Sequence, residues 1–265
     1  MLKCANFKVN LGLYVTEKRE DGFHNLETIF LPVETRHDKI YLDAVQGDLT
    51  FSMEGGDFHV DAENNLCVKA FRLLQKEFQL PNVEICLEKN IPSGAGLGGG
   101  SADAAAVLDL TNQHFSLGLD HLQLRKYAAQ LGSDVPFFIE NKPMYATGRG
   151  EILQEIDFSL KDLQISVFKP NFSISTAEAY AHIKPIPGRT HLCDLIHEPV
   201  EKWQKAFPND FEASLFPSYP ILAEIKQKFY NLGATYAALS GSGSAIFAIA
   251  PHRINLEHFF LGQNL

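Results

Sequence analysis

The N-terminal segment alternates apolar and polar residues from Phe7 to Val15. Every second residue is apolar, which predicts a β-strand with one face in the core. Lys8 and Asn10 lie on the other face, about 6–7 Å apart along the strand. A solvated strand face is the more common setting for such a pair, and the alternation by itself favours that interpretation.

A charged turn that ends in Asp21-Gly22 separates this strand from a second one over residues 26–33. Phe23 and His24 stand between the turn and the strand. An aromatic ring and an imidazole at this place can pack in the core, or they can form a recognition edge that stacks and hydrogen-bonds. The sequence leaves both interpretations open. Residues 39–49 and the Glu54-Gly55-Gly56-Asp57 turn predict further antiparallel strands and a hairpin.

Apolar residues at helical spacing predict several helices. The N-terminal half has helices over residues 64–79, 101–114 and 121–131; Ser101 or Asp103 is the expected N-cap of the second, and Asp120 of the third. The C-terminal half has helix starts at Ser175 and Asn209 and an amphipathic helix over 220–232. Strands are predicted over 83–87, 144–150, 165–169, 234–239 and 245–250. The glycine turn near residue 150 is the expected domain boundary.

The composition is that of a globular protein, with 45% hydrophobic and 21% charged residues among 265 and a net charge of −9. Because the chain has no run of lysine or arginine, extended binding to nucleic acid is not expected, whereas a local basic pocket for a phosphate ester is compatible with the composition. The four cysteines show no paired spacing, and no segment approaches the ~18 apolar residues of a membrane span. We therefore expect a soluble cytoplasmic protein with reduced thiols.

Five glycines fall within seven residues of the stretch Pro92–Ala105, between a predicted strand and a predicted helix. Glycine takes positive φ angles and lets an anion approach the backbone, and a helix N-terminus offers N–H groups. The stretch therefore predicts a phosphate-binding loop. It lacks the Gly-Lys-Ser/Thr end of a Walker A loop. The acidic residue that a Rossmann fold needs about 20 residues later would be Asp120, which heads a helix. The sequence also lacks protein-kinase motifs and zinc-ligand spacings.

Two further stretches combine small and polar residues. Gly132-Ser133-Asp134-Val135-Pro136 makes a sharp turn before two phenylalanines. Asp134 is there either a helix cap or a carboxylate held at the edge of a cleft, and its spacing favours the cap. Residues 240–244, Ser-Gly-Ser-Gly-Ser, join two predicted strands as a plain hairpin loop or as a second phosphate nest.

Together these stretches resemble the GHMP family of small-molecule kinases, which includes galactokinase, homoserine kinase and mevalonate kinase. The resemblance covers residues 1 to about 250 and lies in the glycine run, in Lys8-Val9-Asn10-Leu11 with Asp21-Gly22-Phe23-His24, in the 132–138 turn and in residues 239–244. It implies a two-domain α+β fold. Domain 1–150 would resemble ribosomal protein S5 domain 2, domain 151–265 would be a ferredoxin-like α/β sandwich, and the active site would lie in the cleft between them.

The same resemblance implies ATP as phosphoryl donor and Mg2+ as its companion. Lys8 and Asp134 would be catalytic: Asp134 as general base, and Lys8 as the cation that keeps this carboxylate ionised and supports the transferring γ-phosphoryl group. No side chain is assigned to the metal. The implied nucleotide contacts are Asn64, Asn65, Lys89 and the loop residues Pro92, Ser93, Gly94, Ala95, Gly96, Leu97, Gly98, Gly99, Gly100, Ser101 and Ala102.

The resemblance is strongest to the family member that phosphorylates the 2-hydroxyl of a cytidine diphosphate-linked methylerythritol in non-mevalonate isoprenoid biosynthesis. Asn10 would hold the substrate hydroxyls, and His24 would read the cytosine edge. Phe23, Phe30 and Tyr180 would form aromatic walls around the base, where stacking contributes about 1–3 kcal/mol.

Three positions depart from the family pattern without removing a catalytic group. Phe23 stands where the family has Tyr, Phe7 where it has a small residue, and Ala102 where it has a second Ser. The alternatives are a GHMP kinase for a different alcohol and a non-catalytic nucleotide-binding protein on the same scaffold. A small-molecule substrate, no nucleic-acid or membrane partner, and a monomer or weak homodimer are expected.

Overall fold

The computed structural model describes residues 1–55 and 61–265. The strands in these residues are β1 (Leu2–Lys18), β2 (His24–Ala44), β3 (Thr50–Gly55), β4 (Val83–Lys89), β5 (Met144–Thr147), β6 (Ile152–Glu155), β7 (Gln164–Pro170), β8 (Tyr236–Leu239), β9 (Ile246–Ala250) and β10 (Gly262–Asn264). The helices are α1 (Leu66–Phe78), α2 (Gly99–His114), α3 (His121–Leu131), α4 (Val135–Glu140), α5 (Thr176–Ala181), α6 (Leu192–Leu195), α7 (Trp203–Ala206), α8 (Asp210–Leu215) and α9 (Pro220–Asn231). This mixture confirms the α+β prediction.

The described chain forms two compact units. Unit 1 consists of Met1–Phe7, Glu34–Ser93 and Gly98–Lys142, and unit 2 of Lys8–Val33, Gly94–Leu97 and Pro143–Leu265. Strands β1 and β2 therefore each continue from one unit into the other. The domain boundary near residue 150 stays a prediction.

Unit 1 is built on β4, whose two neighbours run in different directions. The 39–44 end of β2 pairs with β4 in antiparallel register, and β3 pairs with it in parallel. The expectation of antiparallel strands is therefore wrong for β3. The reason is that α1 lies between β3 and β4 in the sequence. The helix returns the chain to the end of the sheet at which β3 began, so β4 runs parallel to β3. Gly56 and Asp57 of the predicted hairpin turn lie outside the described residues.

The helices of unit 1 cover this sheet with an apolar core that includes Phe71, Leu74, Ile85 and Leu108. Helix α3 begins as predicted, since Asp120 forms a capping box with Gln123. Helix α1, predicted from residue 64, begins at Leu66 with the side chain of Asn65 as its cap.

Helix α2 begins earlier than the sequence indicates. Its N-cap is Gly98, which has a left-handed φ of 72° and makes no side-chain cap. Neither Ser101 nor Asp103 caps the helix, because both already lie inside its first turns. The glycine run therefore passes directly into α2.

Unit 2 contains an antiparallel sheet in the order β10-β7-β9-β8. Helix α9 packs on β8 and β9 through a core that includes Ile225, Phe229, Leu239 and Ile246. The first part of β2 pairs with β5, which pairs with β6. An isolated bridge joins Leu13 of β1 to Asn209 at the start of α8.

Over residues 8–15, β1 is buried on both faces, not on one. Lys8 and Asn10 are 3% and 2% exposed, as buried as the apolar residues between which they alternate. The interpretation of their face as a solvated one is therefore wrong. A buried ammonium needs polar partners, which makes this pair the natural place to look for chemistry.

Candidate active site

The glycine run forms an irregular loop between β4 and α2. Gly94, Gly96 and Gly98 have φ angles of 65°, 76° and 72°, a region that other residues rarely adopt. The loop thus alternates left-handed positions and then opens into the N-terminus of α2, whose first N–H groups have no partner within the helix. Such a succession of N–H groups suits an anion such as a phosphate.

The middle of this loop, residues 94–97, is seated on the Ser240–Ser244 loop of unit 2. The amide of Ala245 donates to the carbonyl of Ala95 (3.2 Å), and the hydroxyl of Ser240 donates to the carbonyl of Gly96 (3.0 Å). A Cβ added to Gly96 would stand 1.9 Å from the Ser240 carbonyl oxygen. The 240–244 segment therefore supports the glycine loop through backbone contact that only glycine permits. Its role as a second phosphate nest stays a prediction.

Lys8 is attached to the same loop. Its ammonium donates to the carbonyl of Gly96 (3.0 Å) and to the Oδ1 atom of Asn10 (2.8 Å), and lies 5.1 Å from the centre of the Phe30 ring. The amide of Lys8 also donates to the carbonyl of Leu97 (3.0 Å). Strand β1 thereby holds a buried cation directly against the glycine loop.

Asn10 is oriented by a further hydrogen-bond chain. Its amide donates to the Thr28 hydroxyl (3.0 Å), which in turn donates to the carbonyl of Gly12 (2.6 Å). The Oδ1 atom of Asn10 is thereby directed at Lys8. The strand pattern correctly predicts that Lys8 and Asn10 share one face. It does not predict the hydrogen bonds of Thr28 and Ser240, because neither strand periodicity nor a serine-rich loop indicates which carbonyl a hydroxyl will reach.

Asp134 stands at the N-terminus of the short helix α4 in unit 1. Its side chain accepts no hydrogen bond from the first turn of α4, so the capping role that its spacing favours is not the one it has. The carboxylate is half-buried, and Pro136 fixes the first turn behind it. Its catalytic role stays a prediction.

Two residues predicted to contact the nucleotide are engaged within unit 1. Asn65 accepts from the amide of Cys67 (2.8 Å) as the cap of α1. Lys89 is buried and donates to the carboxylates of Asp38 and, at 2.6 Å, Asp103. Burial acts to lower the pKa of Lys89, but the two carboxylates raise it, so the ammonium stays charged. Nucleotide contacts by Asn65 and Lys89 stay predictions.

The predicted cytidine-binding residues separate into distinct surroundings in unit 2. The rings of His24 and Tyr180 lie 4.9 Å apart with planes 30° from parallel, and Phe211 contacts Tyr180 edge-on. Phe23 is 55% exposed beside the Arg149 guanidinium, and Phe30 is buried under Lys8. His24 and Tyr180 thus form a close but tilted ring pair.

The electrostatic setting of His24 favours the neutral imidazole. Burial and then the nearby charge of Lys18 lower the pKa of His24 below its usual value. A neutral ring keeps one nitrogen as donor and one as acceptor, which suits it to recognise a heterocyclic edge.

The remaining observations concern the cysteines, clusters of metal-ligating residues and the length of apolar helices. All four cysteines are free thiols. Among the described residues, no group of three or more His, Cys, Asp or Glu side chains could hold a metal ion. In the same residues, no helix is both long enough and apolar enough to span a membrane.

Two family models match the chain: GHMP kinases N terminal domain over residues 65–142 and GHMP kinases C terminal over residues 195–259. The first of these matches includes Asn65, Lys89, the whole glycine loop and Asp134. The second includes the 240–244 loop that supports it.

Curated relatives cover almost the whole chain. A protein of Bacteroides fragilis named 4-diphosphocytidyl-2-C-methyl-D-erythritol kinase is 48% identical over 94% of this chain and 92% of its own length. A protein of the same name from Bacteroides thetaiotaomicron is 47% identical over 100% of this chain and 97% of its own.

Solved structures agree with these matches. A crystal structure titled 4-(cytidine 5'-diphospho)-2C-methyl-D-erythritol kinase has a TM-score of 0.77 and 33% identity, covering 94% of this chain and 90% of that one. The mevalonate kinase of Methanococcus jannaschii, at a TM-score of 0.66 and 12% identity over 100% of this chain and 96% of that one, shares the fold.

Proposed function

The chain belongs to the GHMP kinase family, and from this premise we propose that it transfers the γ-phosphoryl group of ATP to the 2-hydroxyl of 4-diphosphocytidyl-2-C-methyl-D-erythritol. The observation that carries the proposal is the near full-length similarity, at 47–48% identity, to two Bacteroides kinases with that substrate in their names. The reaction would place the protein in the biosynthesis of isoprenoid precursors.

The proposed nucleotide site is the glycine loop with the N-terminus of α2. Its left-handed glycines and open N–H groups suit the triphosphate of ATP. Mg2+ would supply charge neutralisation between the phosphate groups. Such an ion is commonly held by few side chains together with substrate phosphates and water.

The proposed chemistry is an in-line phosphoryl transfer. Asp134 would accept the proton of the 2-hydroxyl as the hydroxyl oxygen bonds to the γ-phosphorus, and the bond from that phosphorus to the bridging oxygen would break to release ADP. Lys8 would stabilise the negative charge on the transferring group, since its ammonium is already fixed by Asn10 and by the Gly96 carbonyl. Positioning and charge stabilisation supply most of the catalysis in reactions of this kind.

His24 and Tyr180 are proposed to bind the cytidine end of the substrate. The support is the close, tilted contact of the two rings and the lowered pKa of His24, which keeps its hydrogen-bonding edge neutral. Phe23, exposed beside Arg149, would add a face for the base, and Phe30 would act from beneath Lys8 by fixing the ammonium. The expected cytoplasmic location and the monomer or weak homodimer stay predictions.

The test is an ADP-release assay with the cytidine-linked substrate, mevalonate and homoserine supplied separately with ATP and Mg2+. We expect turnover with the cytidine-linked substrate at a kcat/KM at least about a hundredfold above the other two alcohols. Preference for another alcohol would indicate a different GHMP kinase. Nucleotide binding without turnover on any alcohol would indicate a non-catalytic protein.

The role of Asp134 is tested by Asp134→Asn, with Asp120→Asn as matched control. Both changes neutralise an aspartate at a helix N-terminus. Because asparagine caps a helix as well as aspartate does, neither change should weaken the helix itself. We expect Asp134→Asn to reduce kcat by about 100-fold or more, the usual contribution of a general base, with ATP affinity retained. Asp120→Asn should keep wild-type kcat, and near-wild-type turnover in Asp134→Asn would refute the assignment.

A further inference from the structure

A buried ion cluster joins the two ends of the glycine loop in unit 1. Lys89 is the last residue of β4, before the loop, and Asp103 lies in the second turn of α2, after it. The Lys89 ammonium donates to Asp103 at 2.6 Å and also to Asp38 on β2. The side chains of Asp38, Lys89 and Asp103 are 0%, 6% and 3% exposed. We call these three residues the loop-end cluster.

Asp38 is the member with the most complete set of contacts. Its Oδ1 atom accepts from the amides of Asn90 (2.6 Å) and Ile91 (2.7 Å), the two residues that lead into the loop. Its Oδ2 atom accepts from Lys89. Three donors thus hold this one carboxylate in place. Asp38 therefore fixes both the backbone before the loop and the cation beneath it.

Asp103 is held less completely. Among the described residues no group hydrogen-bonds to its buried Oδ1 atom. Burial raises the pKa of Asp103 to about 7, and the Asp38 carboxylate acts in the same direction against the opposing effect of Lys89. The two carboxylates therefore differ in their contacts: Asp38 also holds the backbone before the loop, whereas one oxygen of Asp103 has no such partner.

The cluster lies directly beneath the first turn of α2. A Cβ added to Gly99 would be 3.1 Å from the Lys89 Nζ atom and 2.9 Å from the Cγ2 atom of Ile91. The start of α2 therefore lies against Lys89 and Ile91, two of the three residues that Asp38 holds. A shift of Lys89 or of the 90–91 backbone would displace the helix start, and with it the N–H groups that face an anion.

A contribution to fold stability does not by itself explain why these three charged side chains are buried together. Taking a lysine and two carboxylates out of water costs several kcal/mol per ion, and apolar side chains of similar size often serve a fold equally well. The contacts of this cluster converge instead on the two ends of one loop, and fixing a binding loop in advance reduces the entropy that ligand binding must overcome.

We propose that Asp38 is a positioning residue for the nucleotide: through Lys89 and the amides of Asn90 and Ile91 it fixes both ends of the glycine loop in the geometry that binds a triphosphate. The proposal rests on the proposed function in one respect, that the glycine loop is the ATP site. It assigns Asp38 no contact with ATP itself. Asp103 completes the cluster by accepting from Lys89, whereas the amides that lead into the loop are held by Asp38.

The test compares Asp38→Asn with Asp103→Asn and uses Glu88→Gln as control. Glu88 belongs to an exposed ion pair with Lys39 on the same two strands, so its loss measures the effect of removing any carboxylate there. Affinity for the non-hydrolysable analogue AMPPNP with Mg2+ is measured by calorimetry, and KM for ATP and for the alcohol is measured by ADP release.

We expect Asp38→Asn to weaken AMPPNP binding and raise KM for ATP by about tenfold or more, with KM for the alcohol changed less than about twofold. Asp103→Asn and Glu88→Gln should stay within about twofold of wild type. Wild-type nucleotide affinity in Asp38→Asn, or equal effects on both substrates, would overturn the proposal. An Asp103→Asn variant as impaired as Asp38→Asn would overturn the distinction between the two carboxylates.

Should Asp38→Asn fail to fold, Asp38→Glu decides. It keeps the charge but moves the carboxylate by one methylene, so nucleotide affinity should fall about fivefold or more while the thermal unfolding midpoint stays within a few degrees of wild type. Unchanged affinity would refute the positioning role. If the wild type binds AMPPNP but turns over no alcohol, the proposed function fails while the binding measurements still decide on Asp38. If it binds no AMPPNP, both fail.

Discussion

Gly96 is the position at which the contact between the glycine loop and residues 240–244 can be tested most directly. A Cβ at this residue would lie 1.9 Å from the Ser240 carbonyl oxygen and 2.8 Å from the Gly243 nitrogen, and both are backbone atoms that no rotamer change can move aside. The φ of Gly96 is 76°, which costs an L-residue about 1–2 kcal/mol. Overpacking a fixed site adds about 1–3 kcal/mol. Gly96→Ala should therefore lower the free energy of unfolding by about 2–5 kcal/mol.

Gly100→Ala is the matched control in the same glycine run. The nearest atom to its added Cβ is the Leu66 Cδ1 atom at 3.9 Å, an ordinary contact, and Gly100 lies inside α2. Alanine favours a helix over glycine by about 0.5–1 kcal/mol, so this variant should be as stable as wild type or slightly more.

The assay is urea unfolding without nucleotide, followed by far-UV circular dichroism. With denaturant slopes of about 1–3 kcal/mol/M, the Gly96→Ala midpoint should fall by about 1 M or more, whereas that of Gly100→Ala should not fall. Two variants with the same midpoint would refute the reasoning, because the close approach of the two loops would then carry no energetic weight.

Three further outcomes are expected. Because burial raises the pKa of Asp103 to about 7, the native state binds this proton more tightly than the unfolded chain, so the contribution of Asp103 to stability should fall as pH rises from about 4 to 7. Asp103→Asn should flatten this dependence in urea titrations at several pH values, and an unchanged slope would argue against it. Asn65→Ala should lower the free energy of unfolding by about 1 kcal/mol, because the α1 cap is lost. Asn64→Ala should change it little, because the Asn64 side chain makes an exposed hydrogen bond to Asp61. Equal losses in the two variants would contradict the capping role of Asn65. His24→Ala should raise KM for the cytidine-linked substrate at least about tenfold with KM for ATP nearly unchanged, and equal changes would exclude a cytosine contact.

Local patterns in the sequence predicted the local structure well. The Asp120 cap, the strand over 7–15 and the strand–loop–strand at 234–250 all follow from residue types and short spacings. The start of α2 was misjudged because serine and aspartate are common caps, whereas the left-handed φ of Gly98 ends the loop and begins the helix without any side chain.

Contacts between distant parts of the chain could not be predicted in this way. The hydroxyl of Ser240 reaches the carbonyl of Gly96 across 144 residues, and Asp38 reaches Lys89 across 51. Strand periodicity says that a residue faces inward or outward, but not which partner it finds there. Lys8 shows this limit most clearly. The apolar–polar alternation of β1 predicted a solvated face for Lys8, but residues from elsewhere in the chain bury its side chain.

The way in which β1 and β2 pass from one unit into the other limits how this protein can be divided. A break after residue 150 would remove Lys8–Val33 from unit 2, and with them the bridge of Leu13 to Asn209 and the bond from the Val15 amide to Asp210. Neither half could then be expressed as a self-sufficient fragment or exchanged as a cassette by simple gene fusion. Split-reporter designs and chimaeras of such kinases need to keep the first 33 residues together with the C-terminal half.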